Sequence, residues 1–174
     1  IGSGTVVVET AKEVVSLIVS NDAVVVFTNW STTVSASNVV VQSNGLITAA
    51  SPFFENEMSN RVSLVCTNLA VEPFGRISVN GRGFNYGRGP GVGEGGISRT
   101  TFGGGGGDGG HGGVGGGTPA NSHNYAGGPA YGLTNAPVLP GSGGVSYQTN
   151  DVTRRGGPGG GCVRVDAGGT VTVD

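Results

Sequence analysis

NVVVQSNGLITAA, residues 38–50, is one of four stretches in this chain that follow a single thirteen-residue pattern. The others are SLIVSNDAVVVFT at 16–28, NLAVEPFGRISVN at 68–80 and CVRVDAGGTVTVD at 162–174. Each reads as a short strand, a small turn and a second short strand, because runs of β-branched residues flank Gly, Asn, Asp or Pro. A pattern that recurs with insertions between its copies is typical of stacked repeat architectures.

The spacing of the copies predicts how the strands are arranged. The first two copies start at residues 16 and 38, which leaves room for a third short strand per repeat, and residues 62–65 (VSLV) fit that place before the third copy. Three short parallel strands per coil predict a parallel β-helix, and the preference for right-handed crossovers predicts a right-handed one. We expect inward side chains to stack in two ladders, Val41 with Val71 and Val165, and Ile47 with Ile77 and Val171.

Two other folds compete for parts of this pattern. An antiparallel sandwich also uses short strands separated by turns, but it does not explain the thirteen-residue recurrence. A helix over residues 9–19 (ETAKEVVSLIV) competes locally because Ala, Lys and Glu favour helices, whereas the valines and the match to the repeat favour a strand. The predicted fold is therefore all-β, a right-handed parallel β-helix.

Glycine divides the chain into three parts. Most of its 37 glycines lie between residues 81 and 161, so we predict β-solenoid coils over 1–80, a Gly-rich insertion packed on the solenoid over 81–161 and returning solenoid strands over 162–174. Such an insertion is either a flexible tether or a set of polyproline II or polyglycine II rods, because glycine lets neighbouring backbones approach and bond. Aromatic residues and prolines spaced along the insertion favour the rods.

The charge of the chain excludes several classes of partner. Charged residues make up 11% of the sequence, the formal net charge is −2, and Lys12 is the only lysine. Nucleic acids and anionic membranes need a clustered basic face, so neither is an expected partner. No apolar run reaches the roughly 18 residues of a membrane span, and we recognise no signal peptide with a basic start. The first residue, Ile1, is what we expect of a processed or excised chain.

The residues that could carry chemistry do not match any complete site. The run GGGGGD at 103–108 follows a calcium-binding nonapeptide until Gly110 stands where a large aliphatic residue is required, and the glycine loop at 81–87 lacks the helix that receives a phosphate. His111 and His123 are expected to be exposed or backbone-bonded and not metal ligands. The carboxylates are scattered. The sequence therefore predicts no catalytic residue, metal site or cofactor, and the chain is not expected to be an enzyme.

Two cysteines and one sequon bear on the compartment. Cys66 precedes the third copy and Cys162 begins the fourth, so stacking makes them a candidate disulfide, with two buried small side chains as the alternative. Asn29 begins the tripeptide Asn-Trp-Ser, a candidate N-glycosylation site in a glycosylating compartment. Neither feature fixes the compartment by itself.

Several runs in about the last hundred residues resemble a known group of proteins. They are ISVNGRG at 77–83, the oligoglycine tracts, PGSGG at 140–144 and GGGCVRV at 159–165. These runs resemble large glycine-rich secreted or surface proteins of microbes, and the resemblance implies a β-helical fold and an extracellular or cell-surface location. The oligoglycine tracts are also similar to the polyglycine rods of bacteriophage tail-fibre adhesins.

The ends of the predicted solenoid lead to the functional hypothesis. Both ends are strand-like and have no obvious polar cap, and an uncapped solenoid exposes strand edges that another copy can extend. We expect an extracellular structural protein that assembles head to tail into a filament, so that the partner of the chain is itself. The residues expected to make this contact are Thr5, Val6, Val7, Val8, Val171 and Val173.

The alternative function is glycan binding by an adhesin or a phage tail-fibre tip. In this hypothesis aromatic rings of the Gly-rich insertion stack on sugar faces, and the partner is a surface glycan. The residues concerned are Phe84, Tyr86, Tyr125 and Tyr131, which otherwise anchor the rods to the scaffold. An enzyme is the third and least favoured hypothesis.

Overall fold

The computed structural model describes residues 3–55, 57–92, 128–132, 138–144 and 156–174. The chain forms two compact units. The first, the repeat unit, comprises Ile1–Ala50, Ser59–Val79 and Val163–Asp174; the second, the glycine unit, comprises Ser51–Met58 and Asn80–Cys162. Among the described residues there is no helix, and therefore none that could cross a membrane.

The described residues of the repeat unit form nine strands. They are β1 (Gly4–Val8), β2 (Lys12–Val19), β3 (Ala23–Phe27), β4 (Val34–Val41), β5 (Leu46–Ala49), β6 (Val62–Val71), β7 (Arg76–Ile77), β8 (Val163–Ala167) and β9 (Val171–Val173). Strands β1, β3, β5 and β7 form sheet A, while β2, β4, β6 and β8 form sheet B, in which β9 also pairs with β6. Every one of these strand pairs is parallel.

This topology settles the competition between folds at the level of the sheets. The chain is all-β in its described part, and from β1 to β8 it alternates between two parallel sheets, so the antiparallel sandwich is excluded. Residues 12–19 form a strand, which confirms that their valines outweigh the helix-favouring residues beside them. Residues 62–65, expected as a separate third strand, form the first part of β6.

The first three copies of the thirteen-residue pattern stack in register, as the sequence predicts. Ser16 lies opposite Asn38, and Asn38 lies opposite Asn68, so the three starting residues share one column of sheet B. We use the word column for the residues that occupy the same register position in successive strands of one sheet. The recurrence in the sequence is therefore a recurrence in space for these copies.

The glycines at the shared turn position are required by close packing of the backbone. A Cβ at Gly45 would lie 2.3 Å from the carbonyl oxygen of Val19, and a Cβ at Gly75 would lie 2.2 Å from that of Val41. Any side chain at these two positions would therefore collide with the preceding copy. The residue before the turn position has a positive φ in each of the first three copies, at Asp22, Asn44 and Phe74.

The fourth copy does not follow the predicted register. Both of its strands pair with β6, so that Val165 lies opposite Leu64 and Val171 lies opposite Leu69. The predicted ladders are therefore wrong in their last members, Val165 and Val171. Their first two members do pair as expected, Val41 with Val71 and Ile47 with Ile77.

The physical reason for this difference lies in the turn of the fourth copy. The N–H groups of Gly168 and Gly169 donate to the carbonyl oxygens of Cys66 and Thr67 at 2.9 and 2.7 Å. The chain therefore keeps bonding along β6 through the turn and stays on sheet B. In the earlier copies the corresponding turn carries the chain from sheet B to sheet A.

Alternate side chains of both sheets form a single apolar core. Its most completely buried members are Val19, Val25, Phe27, Val39, Val41, Ile47, Val62 and Leu64. Full burial of a valine, leucine or phenylalanine side chain contributes roughly 1.5–3 kcal/mol. Stacked apolar side chains are therefore the main source of stability in the repeat unit.

The described part of the glycine unit is organised by backbone hydrogen bonds. Three of its segments each bond to both of the others: residues 83–88, 141–144 and 156–160. The bonds that link the three pairs include Phe84 N to Gly141 O at 3.0 Å, Gly83 N to Gly159 O at 2.8 Å and Gly141 N to Gly160 O at 2.7 Å. A strand in a flat sheet bonds only to neighbours on two opposite sides, so three mutually bonded segments form a bundle and not a sheet.

Glycine is required where these segments touch. A Cβ at Gly159 would lie 1.9 Å from the carbonyl oxygen of Gly141, and one at Gly83 would lie 2.2 Å from that of Gly160. No side chain fits at such distances. The glycines of this bundle therefore act through close backbone contact, which a flexible tether does not need.

Candidate functional site

We call a column inner when its side chains face the apolar core. The inner columns of sheet B are uncovered at the β9 end of the repeat unit. Val39 is 0% exposed and Leu69 5%, but Val171, the next member of the same column, is 53% exposed. The neighbouring column repeats this change, from 7% at Val71 to 68% at Val173. Apolar side chains that face the core in the middle of the stack therefore face solvent at this end.

The opposite end of the repeat unit is uncovered in the same way. Val6 in β1 belongs to the column of Val25, and Val14 in β2 belongs to the column of Ala36. Val25 and Ala36 are buried, whereas Val6 and Val14 are exposed. Both ends of the described stack therefore present core-facing valines that no strand in the described residues covers.

The predicted assembly residues divide into three groups on this geometry. Val6, Val171 and Val173 belong to inner columns and are exposed. Thr5 and Val7 are exposed on β1 but alternate with Val6, so they face away from the core. Val8 is buried opposite Phe27, which makes it part of the core and removes it from the candidate contact.

The outer edge of β9 carries backbone groups that point away from β6. The carbonyl oxygen of Thr170 accepts a bond from the N–H of Leu69 at 2.9 Å, and the N–H of Asp174 donates to Val71 at 3.1 Å. Successive residues of a parallel strand direct their backbone groups to opposite sides. The N–H and C=O groups of Val171 and Val173 therefore face the outer edge, where they could bond to a further strand.

A short asparagine ladder fixes the register beside these columns. The side-chain amide of Asn68 donates to Oδ1 of Asn38 at 3.0 Å, and Oδ1 of Asn68 accepts the N–H of Thr170 at 3.1 Å. Ser16, in the same column, donates from its hydroxyl to the carbonyl of Asn38 at 3.4 Å. This ladder was not predicted from the sequence, although asparagine at the first position of two copies was the available signal.

Among the residues that the structure describes, the aromatic candidates for glycan contact do not form a common surface. Phe84 is 2% exposed, and its ring packs edge-on against Phe53 with centroids 5.1 Å apart. The prediction that Phe84 contacts a glycan is therefore wrong, because its ring is inside the glycine unit. Tyr131 is half-buried and its hydroxyl donates to the carbonyl of Pro140. Tyr125 lies outside the described residues.

Tyr86, the remaining aromatic candidate, lines a small cleft in the glycine unit. The cleft has a volume of about 90 Å³, and its other lining residues are Phe54, Asn85 and Arg88. Phe54 is 65% exposed, which leaves a ring face open to solvent. Phe54 was not predicted as a site residue, because it lies before the Gly-rich insertion in a stretch that carries no motif.

The two cysteines are buried thiols that are not joined to each other. Burial raises the pKa of the Cys66 thiol above its ordinary value. The thiol of Cys162 donates to the carbonyl oxygen of Val138 at 3.3 Å. The candidate disulfide is therefore not formed in the structure, and the alternative of two buried small side chains describes both residues.

The predicted glycosylation site and the metal motifs have different outcomes. Asn29 is exposed, and its side-chain amide donates to the carbonyl of Glu9, so glycosylation would require that bond to open. In the parts of the chain that the structure describes, no group of three or more His, Cys, Asp or Glu could hold a metal ion. The run at 103–108 lies outside the described residues, as do His111 and His123.

Comparison of this chain with protein-family models, with curated proteins and with solved structures finds no match. The resemblance to glycine-rich secreted or surface proteins of microbes therefore stays a prediction. The assembly and binding proposals below rest on the geometry of the two units, and only the proposed localisation rests on this resemblance.

Proposed function

We propose that this chain is an extracellular structural protein whose repeat unit is a right-handed parallel β-helix that assembles head to tail. The observation that carries the proposal is the rise in exposure along the inner columns, from Leu69 to Val171 and from Val71 to Val173. A second copy that continued these columns would cover the same side chains. The strong preference for right-handed crossovers between parallel strands supports the handedness.

The expected strength of this contact follows from what it would bury. Covering partly exposed valines at each end contributes on the order of 1 kcal/mol per side chain, and each backbone bond to the β9 edge contributes roughly 0.5–1.5 kcal/mol. These gains oppose an association cost of at least about 4 kcal/mol. Assembly is therefore expected to be modest in affinity and dependent on protein concentration.

The geometry of the contact determines the form of the assembly. The β9 end of one copy would meet the β1 and β2 end of the next, so the two surfaces of the contact differ. Contacts of this kind propagate into a filament unless the rotation between copies closes a ring. The partner we propose is therefore another copy of this chain, and the role is structural and not catalytic.

We assign the bundle in the glycine unit to polyglycine II packing. Its support is the set of backbone bonds that joins three segments pairwise, together with the sites where a Cβ would touch a neighbouring carbonyl. In a filament such a bundle would supply a rigid part that needs few apolar side chains. Extracellular or cell-surface localisation is proposed on the resemblance described above.

Electron microscopy of the purified chain at high concentration tests the assembly proposal. We expect fibres with a regular repeat in the wild type and none in a Val171→Pro variant, because proline removes the edge-facing N–H of Val171. Val171→Thr, which keeps that N–H and a β-branched side chain, is the matched control and is expected to form fibres. Equal fibre formation by all three proteins would refute a junction at β9.

A second candidate function is glycan binding at the cleft beside Phe54. An exposed aromatic face next to a guanidinium and an amide can stack on a sugar ring and bond to its hydroxyl or carboxylate groups. The backbone around the cleft is fixed, since Asn85 N donates to Phe53 O at 2.9 Å and Gly143 N donates to Arg88 O at 3.0 Å. Arg88 makes an acidic saccharide the preferred ligand class.

Calorimetric titration with an oligogalacturonate and with a neutral cello-oligosaccharide tests this second candidate. Phe54→Ala is expected to abolish binding of the acidic oligosaccharide, and Arg88→Gln is expected to weaken it about tenfold. Phe74→Ala, which removes an exposed phenylalanine of the repeat unit, is the matched control. If the wild type binds neither oligosaccharide, or if Phe54→Ala binds as the wild type does, the glycan proposal fails.

A further inference from the structure

Strands β1 and β2 and the tight turn that leads to Ala23, together called the first turn, lie where a second copy of the chain would have to fit. In three features the first turn differs from the rest of the repeat unit. Ala23 occupies the turn position that is glycine in the next two copies of the thirteen-residue pattern, at Gly45 and Gly75. At those glycines a Cβ would lie 2.3 and 2.2 Å from the carbonyl oxygens of Val19 and Val41.

The same geometry would place Ala23 against a second copy of the chain. The next member of the column of Val19, Val41 and Val71 is Val173, whose carbonyl faces the outer edge of β9. Ala23 is 0% exposed and lies opposite Gly4, so its methyl group is already covered within the chain, and a copy added in register would have to displace this cover before that carbonyl could reach the Cβ of Ala23. The methyl group of one alanine thus opposes the contact that glycine permits inside the stack.

Lys12 is the second feature of the first turn that opposes addition. It occupies the inner column of Val34 and Leu64, both of which are buried. The same column ends at Val165 on the other side of the stack. In-register addition would place the Lys12 ammonium over the apolar column that ends at Val165, where it loses hydration. Inward-pointing lysine at a sheet edge is a known way to prevent edge-to-edge pairing.

Glu13 is the third feature. Its column runs through Ser35 and Val65 to Asp166, so an added copy would bring the carboxylates of Glu13 and Asp166 to adjacent strands. Like charges directly opposite each other weaken strand pairing. Asp166 also forms an ion pair with Arg164 at 2.9 Å, which reduces this repulsion without removing it.

The β8 and β9 end carries no matching obstacle in its inner columns. Their members there are apolar: Val163, Val165, Ala167, Val171 and Val173. We propose that the first turn holds back in-register addition of a second copy, an inference that rests on the head-to-tail assembly proposed above. The two ends of the repeat unit therefore differ in function, with one end open to a strand and the other guarded.

The test compares the protein concentration at which half of the chain sediments as oligomer. Lys12→Leu is expected to lower that concentration roughly tenfold, and Ala23→Gly and Glu13→Gln roughly threefold each. Lys12→Arg keeps the charge and is expected to behave as the wild type. Thermal unfolding of each variant checks that the fold is kept, and Glu13→Gln, an exposed change, keeps the test valid if Ala23→Gly is unstable.

The outcomes separate this inference from the assembly proposal. If the wild type assembles, and Lys12→Leu, Ala23→Gly and Glu13→Gln all assemble at the same concentration as the wild type, the inference that the first turn opposes addition is overturned. The assembly proposal stays intact in that case. A wild type and variants that all stay monomeric would overturn both. A wild type that stops at a dimer, unaffected by the three substitutions, would show pairing between two β9 ends and would also overturn this inference.

Discussion

The repeat unit and the glycine unit are stabilised by opposite means. In the repeat unit, columns of valine, leucine and isoleucine fill a core between stacked strands, and glycine is needed only at turns such as Gly45. In the glycine unit, backbones bond directly to one another, and at Gly159 the space for a side chain is occupied by a carbonyl. Removing side chains should therefore damage the first unit, whereas adding them should damage the second.

The largest expected effect is the introduction of a charge into a column of the repeat unit. Val71→Asp places an unpaired carboxylate in the core and is expected to lower the free energy of unfolding by several kcal/mol, on the order of 3–5 kcal/mol. Val173→Asp introduces the same charge in the same column at its exposed end and should cost under about 1 kcal/mol. Thermal unfolding of the two variants measures the difference. Equal melting temperatures would contradict the assignment of Val71 to the buried part and Val173 to the exposed end of one column.

The reverse change tests the glycine unit. Gly159→Ala adds one methyl group 1.9 Å from the carbonyl oxygen of Gly141, and it is expected to destabilise the unit by roughly 1–3 kcal/mol. Gly157→Ala is the matched control, because a Cβ there meets nothing within 4 Å. Limited proteolysis followed by mass spectrometry should show faster cleavage near residue 159 in the first variant only. Equal resistance of both variants would mean that the bundle does not hold in solution.

A smaller effect is expected from the asparagine ladder. Asn68→Ala removes one side-chain bond to Asn38 and one from Thr170, so it should cost roughly 1–2 kcal/mol. Ser16→Ala removes a single long bond at the exposed end of the column and should cost a few tenths of a kcal/mol. Denaturant unfolding separates the two, and a cost for Ser16→Ala as large as that for Asn68→Ala would show that the ladder does not fix the register.

The smallest expected effect is a difference in the reactivity of one buried thiol between the folded and the unfolded chain. Because burial raises the pKa of Cys66, less thiolate is present at any pH below that pKa than in the unfolded chain. Alkylation of Cys66 by iodoacetamide near pH 8 should therefore be slow in the native protein and should speed up on unfolding. Rapid labelling of the native protein would place Cys66 outside the core.

Much of the repeat unit could be predicted from its sequence because the pattern is local. Gly45 and Gly75 mark a turn that requires glycine, and the β-branched runs beside them mark strands, so the first three copies were aligned correctly. The fourth copy was misaligned because its Gly168 and Gly169 resemble the same turn in sequence but keep bonding along β6. That distinction depends on the neighbouring strand, which a local pattern does not contain.

The candidate sites were less predictable than the fold. Phe84 and Phe54 both belong to the glycine unit, and only burial against Phe53 distinguishes the internal ring of Phe84 from the exposed ring of Phe54. The guarding role of Lys12 likewise depends on its column, which is fixed by pairing with Val34 and not by composition. Sequence patterns indicate strands and turns, but which face a side chain occupies depends on register.

Sedimentation velocity of the wild type and of Val171→Pro over a wide range of concentrations tests the head-to-tail assembly most directly. The wild type is expected to shift to larger species as concentration rises, while Val171→Pro, with an unchanged circular dichroism spectrum, should remain monomeric. A wild type that is monomeric at every concentration would contradict assembly through the exposed ends of the inner columns. Glycan binding at the Phe54 cleft would then become the leading proposal.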